Sequence, residues 1–201
     1  MIKIRKGEHL GILGTTGSGK TYYFRHAVEP QTQHLLVVDT EELQFNDLPL
    51  IKGDPRKFIK KFPHNKTYRV RWVPDPTNQR GDLEKLSQAL IEVGYDMEIY
   101  IDELTDFSTA QVIDPYLKSL FRKARKRKIS LMWATQRPAG ANKWAFDNSI
   151  HKMFFYIQQY DRMNLDRLYK GISGEIEKIE WESYRSIYVG PSGIPEMQEA
   201  I

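Results

Sequence analysis

A chain of 201 residues is long enough for one substantial hydrophobic core and too short for two ordinary independent domains. Its 40% hydrophobic and 28% charged residues describe a globular protein, and a net charge of +4 permits a polyanionic partner without requiring one. The absence of cysteine excludes disulfides, thiolate metal sites and cysteine nucleophiles, no apolar run is long enough to span a bilayer, and Met1–Lys6 is too charged to read as a targeting segment.

In chain order, Leu10, Ile12 and Leu13 read as the end of a strand. They run into Gly14-Thr15-Thr16-Gly17-Ser18-Gly19-Lys20-Thr21, two glycines framing four residues and then lysine and a hydroxyl residue, the pattern of a phosphate-binding loop. Tyr22 to Val28 can continue as a helix until Pro30 stops it. The chemistry fits the residue types. Gly14, Gly17 and Gly19 let the backbone bring its amides close to a polyphosphate, and those amides open a helix whose N-terminus favours anions. Lys20 would reach the β and γ phosphates, and the Thr21 hydroxyl would enter a Mg2+ shell otherwise built from phosphate and water oxygens. Gly14, Thr15, Thr16, Gly17, Ser18, Gly19, Lys20, Thr21 and Tyr22 are therefore the candidate nucleotide contacts. The plainer reading is a glycine-rich turn before a helix.

Leu35–Val38 is a short apolar run, expected as a strand buried on both faces with Asp39 at its C-terminal edge. Asp54-Pro55 opens a short helix with Phe58, Ile59 and Phe62 on one side, and Thr67–Val73 alternates like a strand. A polar, proline-containing loop, Pro74–Gly81, carries Arg80. Asp82 is expected to cap a helix that shares Leu83, Leu86, Leu90 and Val93 on one face. Glu98–Ile101 is a further buried strand, ending in Asp102 and Glu103. Asp114-Pro115 starts a helix with Leu117, Leu120, Phe121 and Ala124 inward. Ile129–Ala134 is another strand, ending at Thr135-Gln136-Arg137-Pro138. Beyond it lie an expected loop, Ala139–Asn148, a strand at Met153–Ile157, a helical stretch around Leu165–Tyr169, a strand at Tyr184–Val189 and a tail from Gly190 to Ile201.

This alternation predicts one α/β domain over 1–201 with a mainly parallel sheet flanked by helices, in which ligands bind at the C-terminal strand edges. Lys20-Thr21, Asp102-Glu103 and Gln136 all lie at such edges and can converge on one nucleotide. Asp102 is positioned to hold Mg2+ through its water shell. Glu103, one residue on, can polarise a water attacking the γ phosphate, which separates a hydrolase from a domain that merely binds nucleotide. Gln136 fits a polar sensor for the γ phosphate and that water. The simpler accounts are an acidic pair at a helix start and a loop amide bonded to local backbone.

Gly14–Thr21, Ile99-Tyr100-Ile101-Asp102-Glu103, the helix end Lys123-Ala124-Arg125 and Ala134-Thr135-Gln136-Arg137-Pro138 together resemble the FtsK–HerA superfamily of DNA-pumping ATPases, over roughly Leu10 to Leu168. The compact length is similar to the genome-packaging ATPases of tailless icosahedral viruses with an internal membrane. The resemblance implies a RecA-like (ASCE) P-loop NTPase core, ATP and Mg2+ as cofactors, a homo-oligomeric ring of five or six copies, and translocation of double-stranded DNA without sequence preference into a preformed capsid. It also implies a capsid, vertex or membrane component as docking partner, and action in the host cytoplasm during virion assembly or in association with the virion. In such proteins the sensor strand lies between the phosphate-loop strand and the acidic strand.

An arginine supplied by a neighbouring subunit would offset charge on the transferring phosphoryl group. Arg125 is the first candidate by the resemblance and Arg80 the second, with Arg137 and Arg162 behind them; each also reads as an exposed or locally paired arginine. The run Arg122–Lys128 reads as a solvated helix face or as a surface that tracks phosphates. Thr105–Asp114 and Ala139–Asn148, with Asn142, Lys143 and Trp144, are candidate pore loops. Trp144 and Trp181 could stack bases or simply pack. The five histidines show no metal-ligand spacing. Two other functions remain open from sequence: a small-molecule P-loop kinase, and a nucleotide-gated DNA-binding or assembly subunit without turnover.

Overall fold

Alternation along the strands decides which side chains meet which helical layer. The computed structural model describes residues 2–40, 44–61 and 66–201. Among them, β1 (Leu10–Leu13), β2 (His34–Val38), β3 (Leu50–Ile51), β4 (Tyr68–Trp72), β5 (Met97–Ile101), β6 (Ile129–Thr135), β7 (His151–Phe154), β8 (Ser186–Val189) and β9 (Pro195–Gln198) form one sheet ordered β3-β4-β2-β5-β6-β1-β7-β8-β9. Pairing is parallel from β3 through β7 and antiparallel for β8 and β9.

Two apolar layers sandwich the central strands. On one face Leu10, Ile12, Leu35, Val37, Tyr100, Met132 and Ala134 meet Phe24, Ala27 and Val28. Those last three residues belong to a five-residue π turn, Phe24–Val28, that prolongs α1 (Lys20–Tyr23) and gives way to a 3₁₀ turn, Glu29–Gln31, where Pro30 stands. On the other face Leu36, Val38, Ile99, Ile101, Leu131 and Trp133 meet Leu83, Leu86 and Leu90 of α3 (Gln79–Val93) and Leu117, Leu120 and Phe121 of α4 (Pro115–Lys123). Trp133 lies so close to Gly11 that a Cβ there would come within 2.6 Å of its ring. A side chain at Gly11 would displace that fully buried indole, at a cost of about 1–3 kcal/mol.

The short helix α2 (Pro55–Ile59) is capped by Asp54, which accepts from the Arg56 amide at 2.9 Å, and Asp114 caps α4 by accepting from Leu117 N at 2.8 Å. Phe62, expected on the inner side of the first of these helices, lies outside the described residues, as does Met1.

Several expectations need correction. α3 begins at Gln79 with Asn78 at its N-cap, so Arg80 and Gly81 are helical and Asp82 belongs to the first turn. The Asp82 carboxylate instead accepts from Asp75 N at 3.0 Å, tying the preceding loop to the helix. The expected loop Ala139–Asn148 contains α5 (Lys143–Asn148), capped by Asn142 through Trp144 N at 3.0 Å. The helical stretch expected around Leu165–Tyr169 lies earlier, as α6 (Gln159–Leu165), residues 166–169 are not helical, and a further helix, α7 (Ile172–Ile176), follows. Strand β3 was not apparent in the sequence. The segment 190–201 is more than a tail, since β9 pairs Pro195–Gln198 with β8 and extends the sheet.

Candidate nucleotide site

The parallel strands β1, β5 and β6 end side by side, with β6 between the other two. Register aligns Leu13 with Thr135 and Ile101 with Trp133, so the residues following each strand emerge on the same edge. Those residues are the phosphate loop, Asp102-Glu103 and Gln136.

The loop closes on its neighbours through its backbone. Gly14 N donates to Thr135 O at 3.3 Å, Thr15 N to Tyr156 O at 3.0 Å and Ser18 N to Thr15 O at 3.2 Å. The Thr15 hydroxyl also bonds Tyr156 O, at 3.2 Å. Gly17 and Gly19 hold φ of 76° and 99°, the left-handed region in which a Cβ would be strained. Lys20 is buried, and its Nζ donates to Thr15 O at 2.8 Å, so the ammonium sits inside the ring of the loop. Ser18 Oγ is buried there with no hydrogen-bond partner among the described residues. Thr16 and Tyr22 are exposed at the rim, and Tyr22 packs on His26 with ring centroids 4.1 Å apart.

Tyr100 links the acidic strand to the loop. Tyr100 and Asp102 are two apart on an extended chain and face the same way. The Tyr100 hydroxyl donates to Asp102 Oδ1 at 3.0 Å and accepts from the Thr21 side chain. Burial, followed by the nearby Asp102 and Glu103 charges, pushes the phenol well above its ordinary range, so it stays protonated and acts as a donor. Its ring stacks on Phe24 at 3.6 Å and 13°.

Glu103 is 7% exposed. Its Oε1 accepts from Thr105 N at 3.1 Å and from the Thr105 hydroxyl at 2.5 Å, and its Oε2 accepts from Gln136 N at 2.6 Å. The Gln136 side chain then accepts from the Thr16 hydroxyl at 2.5 Å. A continuous chain of hydrogen bonds thus runs from the acidic strand through the β6 loop to the phosphate loop.

A cavity of about 660 Å³ opens on this edge, lined by Thr16, Gly19, Lys20, Thr21, Gln136 and, at its far end, Glu199–Ile201.

No protein-family model matches the sequence. Protein P9 of Pseudoalteromonas phage PM2 is 29% identical over 141 residues, which takes in 68% of this chain and 62% of that protein, less than two thirds of its length. The genome packaging NTPase B204 of Sulfolobus turreted icosahedral virus 2, solved in complex with ATP-gammaS, superposes with a TM-score of 0.80 at 16% identity, covering 98% of this chain and 100% of that one. The chain has the fold of a viral genome-packaging NTPase. ATPases 2 and 3 of EccC from Thermomonospora curvata show a related arrangement, with a TM-score of 0.58, 13% identity and cover of 96% of this chain against 36% of theirs. Within this P-loop NTPase fold, the site described above occupies the edge that carries the loop.

The arginines fall in different places. Arg125 lies in the 3₁₀ turn Ala124–Arg127 just before β6, with its backbone against Gly7. It is therefore at the opposite edge of the sheet, roughly 20 Å from the phosphate loop of its own chain at about 3.3 Å per strand residue. Arg80 is exposed in the first turn of α3, which follows β4 on the phosphate-loop edge. Arg137 is exposed directly after Gln136, and Arg162 is paired with Glu177 at 2.9 Å. The structure also narrows the 139–148 segment as a candidate pore loop. Asn142 is 4% exposed and spends both ends of its amide on Thr109 O and Trp144 N, Lys143 pairs with Asp147, and Trp144 packs under Lys118. Trp181 is 47% exposed and lies against Tyr156, with ring atoms 3.5 Å from a Cβ built at Gly17.

Tyr100 and Thr105 escaped sequence reasoning. The period-2 pairing of Tyr100 with Asp102 was a signal that could have found the tyrosine; Thr105 sits in an irregular turn and left none.

Proposed function

We propose that this chain is an ATP-hydrolysing motor that moves double-stranded DNA into a preformed viral capsid, working as a homo-oligomeric ring of five or six copies in the host cytoplasm during virion assembly. The observation that carries this reading is the bonded chain Glu103–Gln136–Thr16, which ties a water-activating carboxylate and a sensor amide to the phosphate loop. A kinase needs an acceptor pocket beside the γ phosphate, whereas these groups suit water as the acceptor.

In this reading the loop amides and Lys20 grip the β and γ phosphates, and Ser18 Oγ, buried without a partner among the described residues, gains one in a phosphate oxygen. Thr21 and Asp102 offer hard oxygen donors held together by the Tyr100 hydroxyl, which suits Mg2+, an ion that takes few protein ligands and keeps phosphate and water oxygens. The bound ion would neutralise charge on the triphosphate. Glu103 orients and deprotonates the attacking water, and Gln136 holds that water and the γ phosphate in line.

Arg125 is the first candidate for a cation supplied in trans. A head-to-tail ring brings one copy's N-terminal sheet edge to the next copy's phosphate-loop edge, the heterologous contact that closes rings. Arg80 is the alternative on the near edge. Contacts to DNA would go to phosphates, so affinity should fall steeply with salt and show little sequence preference.

The test is ATP hydrolysis with and without duplex DNA across protein concentrations that span assembly. A motor releases phosphate, accelerates with duplex and gains specific activity as rings form. Transfer of phosphate to a small acceptor, or binding without turnover, would contradict the proposal.

A further inference from the structure

The cavity beside the phosphate loop continues past Lys20 and Thr21 into a space that no phosphate would fill. Its walls there are Tyr22, Tyr23, Phe155, Tyr184 and the residues Glu199–Ile201 that follow β9. Three observations mark this end as built. Tyr184 has φ of 51° and Glu182 φ of 68°, so two bulky residues within three positions adopt a backbone that costs of order 1–3 kcal/mol each and persists only where surroundings impose it. The strained turn sets the Tyr184 ring, 54% exposed, beside the loop, its Cδ1 3.1 Å from a Cβ built at Gly19. Any side chain at position 19 would push the ring away. Tyr23, by contrast, is 6% exposed and packs edge-on against Phe155 with ring centroids 5.6 Å apart, and both residues line the same cavity.

The opposite wall meets the strained turn at the surface. Arg185, next to the strained tyrosine, pairs with Glu199 at 3.0 Å, and the Tyr169 hydroxyl bonds Gly193 O at the turn into β9. A cluster of aromatic side chains, Tyr184, Tyr23 and Phe155, together with the 199–201 segment suits a flat heteroaromatic ring.

We propose that Tyr184 is the stacking platform for the base of a nucleotide, with the 199–201 segment as the facing wall. This rests on the triphosphate lying in the phosphate loop. The strain at Tyr184 then serves recognition, fixing the ring beside Gly19 at the mouth of the phosphate loop.

Binding of Mg·ATPγS and of Mg·tripolyphosphate separates the two ideas, because the second probe has the phosphates and no base. Base–aromatic stacking predicts that Tyr184→Ala weakens ATPγS about 10- to 100-fold and leaves tripolyphosphate within about twofold. Tyr184→Phe should keep both, since the ring remains, whereas Lys20→Ala should lose both. Unchanged ATPγS affinity in Tyr184→Ala overturns the proposal, and so does an equal loss of both probes, which would make the tyrosine a support of the loop. Failure of the unsubstituted protein to bind either probe would instead overturn the nucleotide reading itself.

Discussion

The Tyr100 hydroxyl donates to Asp102 at 3.0 Å while accepting from Thr21, so one buried phenol fixes the relative position of both residues assigned to the metal shell. Tyr100→Phe keeps the ring stacked on Phe24 and removes only the hydroxyl. A hydrogen bond to a charged group contributes about 1.5–3 kcal/mol, so the Mg2+ concentration for half-maximal turnover should rise about tenfold or more. Affinity for ATP measured in EDTA should not change. A variant with normal Mg2+ dependence would show that the phenol merely packs.

The Thr16–Gln136 bond predicts a different signature. Gln136→Ala should lower kcat about 100-fold while ATP affinity stays within about threefold, because the amide acts on the attacking water and on charge that develops late. Thr16→Ala should cost less, and the double variant should be no worse than Gln136→Ala, as expected for residues acting through one contact. Additive losses would mean that the two side chains work separately.

Both of these residues were visible in the sequence, and the reason is physical. Phosphate chemistry demands specific residue types at fixed spacing, and apolar runs followed by polar residues announce strand ends in a parallel sheet. The strand interiors were legible for the same reason, from Leu35–Val38 to Ile129–Ala134. Asp82 misled because a capping residue and a first-turn acid look alike when Gly81 precedes them, and α3 starts earlier, with Asn78 at the N-cap position but without a side-chain capping bond. β9 was hidden because Pro195–Gln198 has only half-buried or exposed residues, so its pairing with β8 left no hydrophobic pattern. Tyr184 was read as part of a strand, and its positive φ has no sequence signature in a tyrosine.

Acid should destabilise the fold through His9. Burial depresses its pKa from 6.5 to about 4, and the ring is neutral in the folded state, accepting from Leu131 N at 2.9 Å and donating to Phe121 O at 3.1 Å. Between those two values the unfolded chain binds the proton and the folded one does not, so stability falls as pH drops from 6.5 towards 4. The shift corresponds to roughly 3 kcal/mol over the whole window. Replacement by asparagine should flatten the decline of Tm across this range; an equally steep decline would place the acid sensitivity elsewhere.

Arg125→Ala should abolish hydrolysis in assembled protein, by about 10³-fold or more, while ATP binding persists. Mixing Arg125→Ala with Glu103→Gln subunits should restore part of the activity, because some interfaces then pair an intact arginine with an intact carboxylate. Unchanged turnover in Arg125→Ala transfers the role to Arg80, which the same mixing experiment can examine.

Glu103 separates a motor from a passive nucleotide binder. The decisive measurement is steady-state ATP hydrolysis by Glu103→Gln beside its ATP affinity. A general base predicts a loss of about 10²- to 10⁴-fold in kcat with ATP still bound at near-normal affinity. Turnover equal to that of the unsubstituted protein would contradict the motor reading and leave a domain that captures nucleotide without using it.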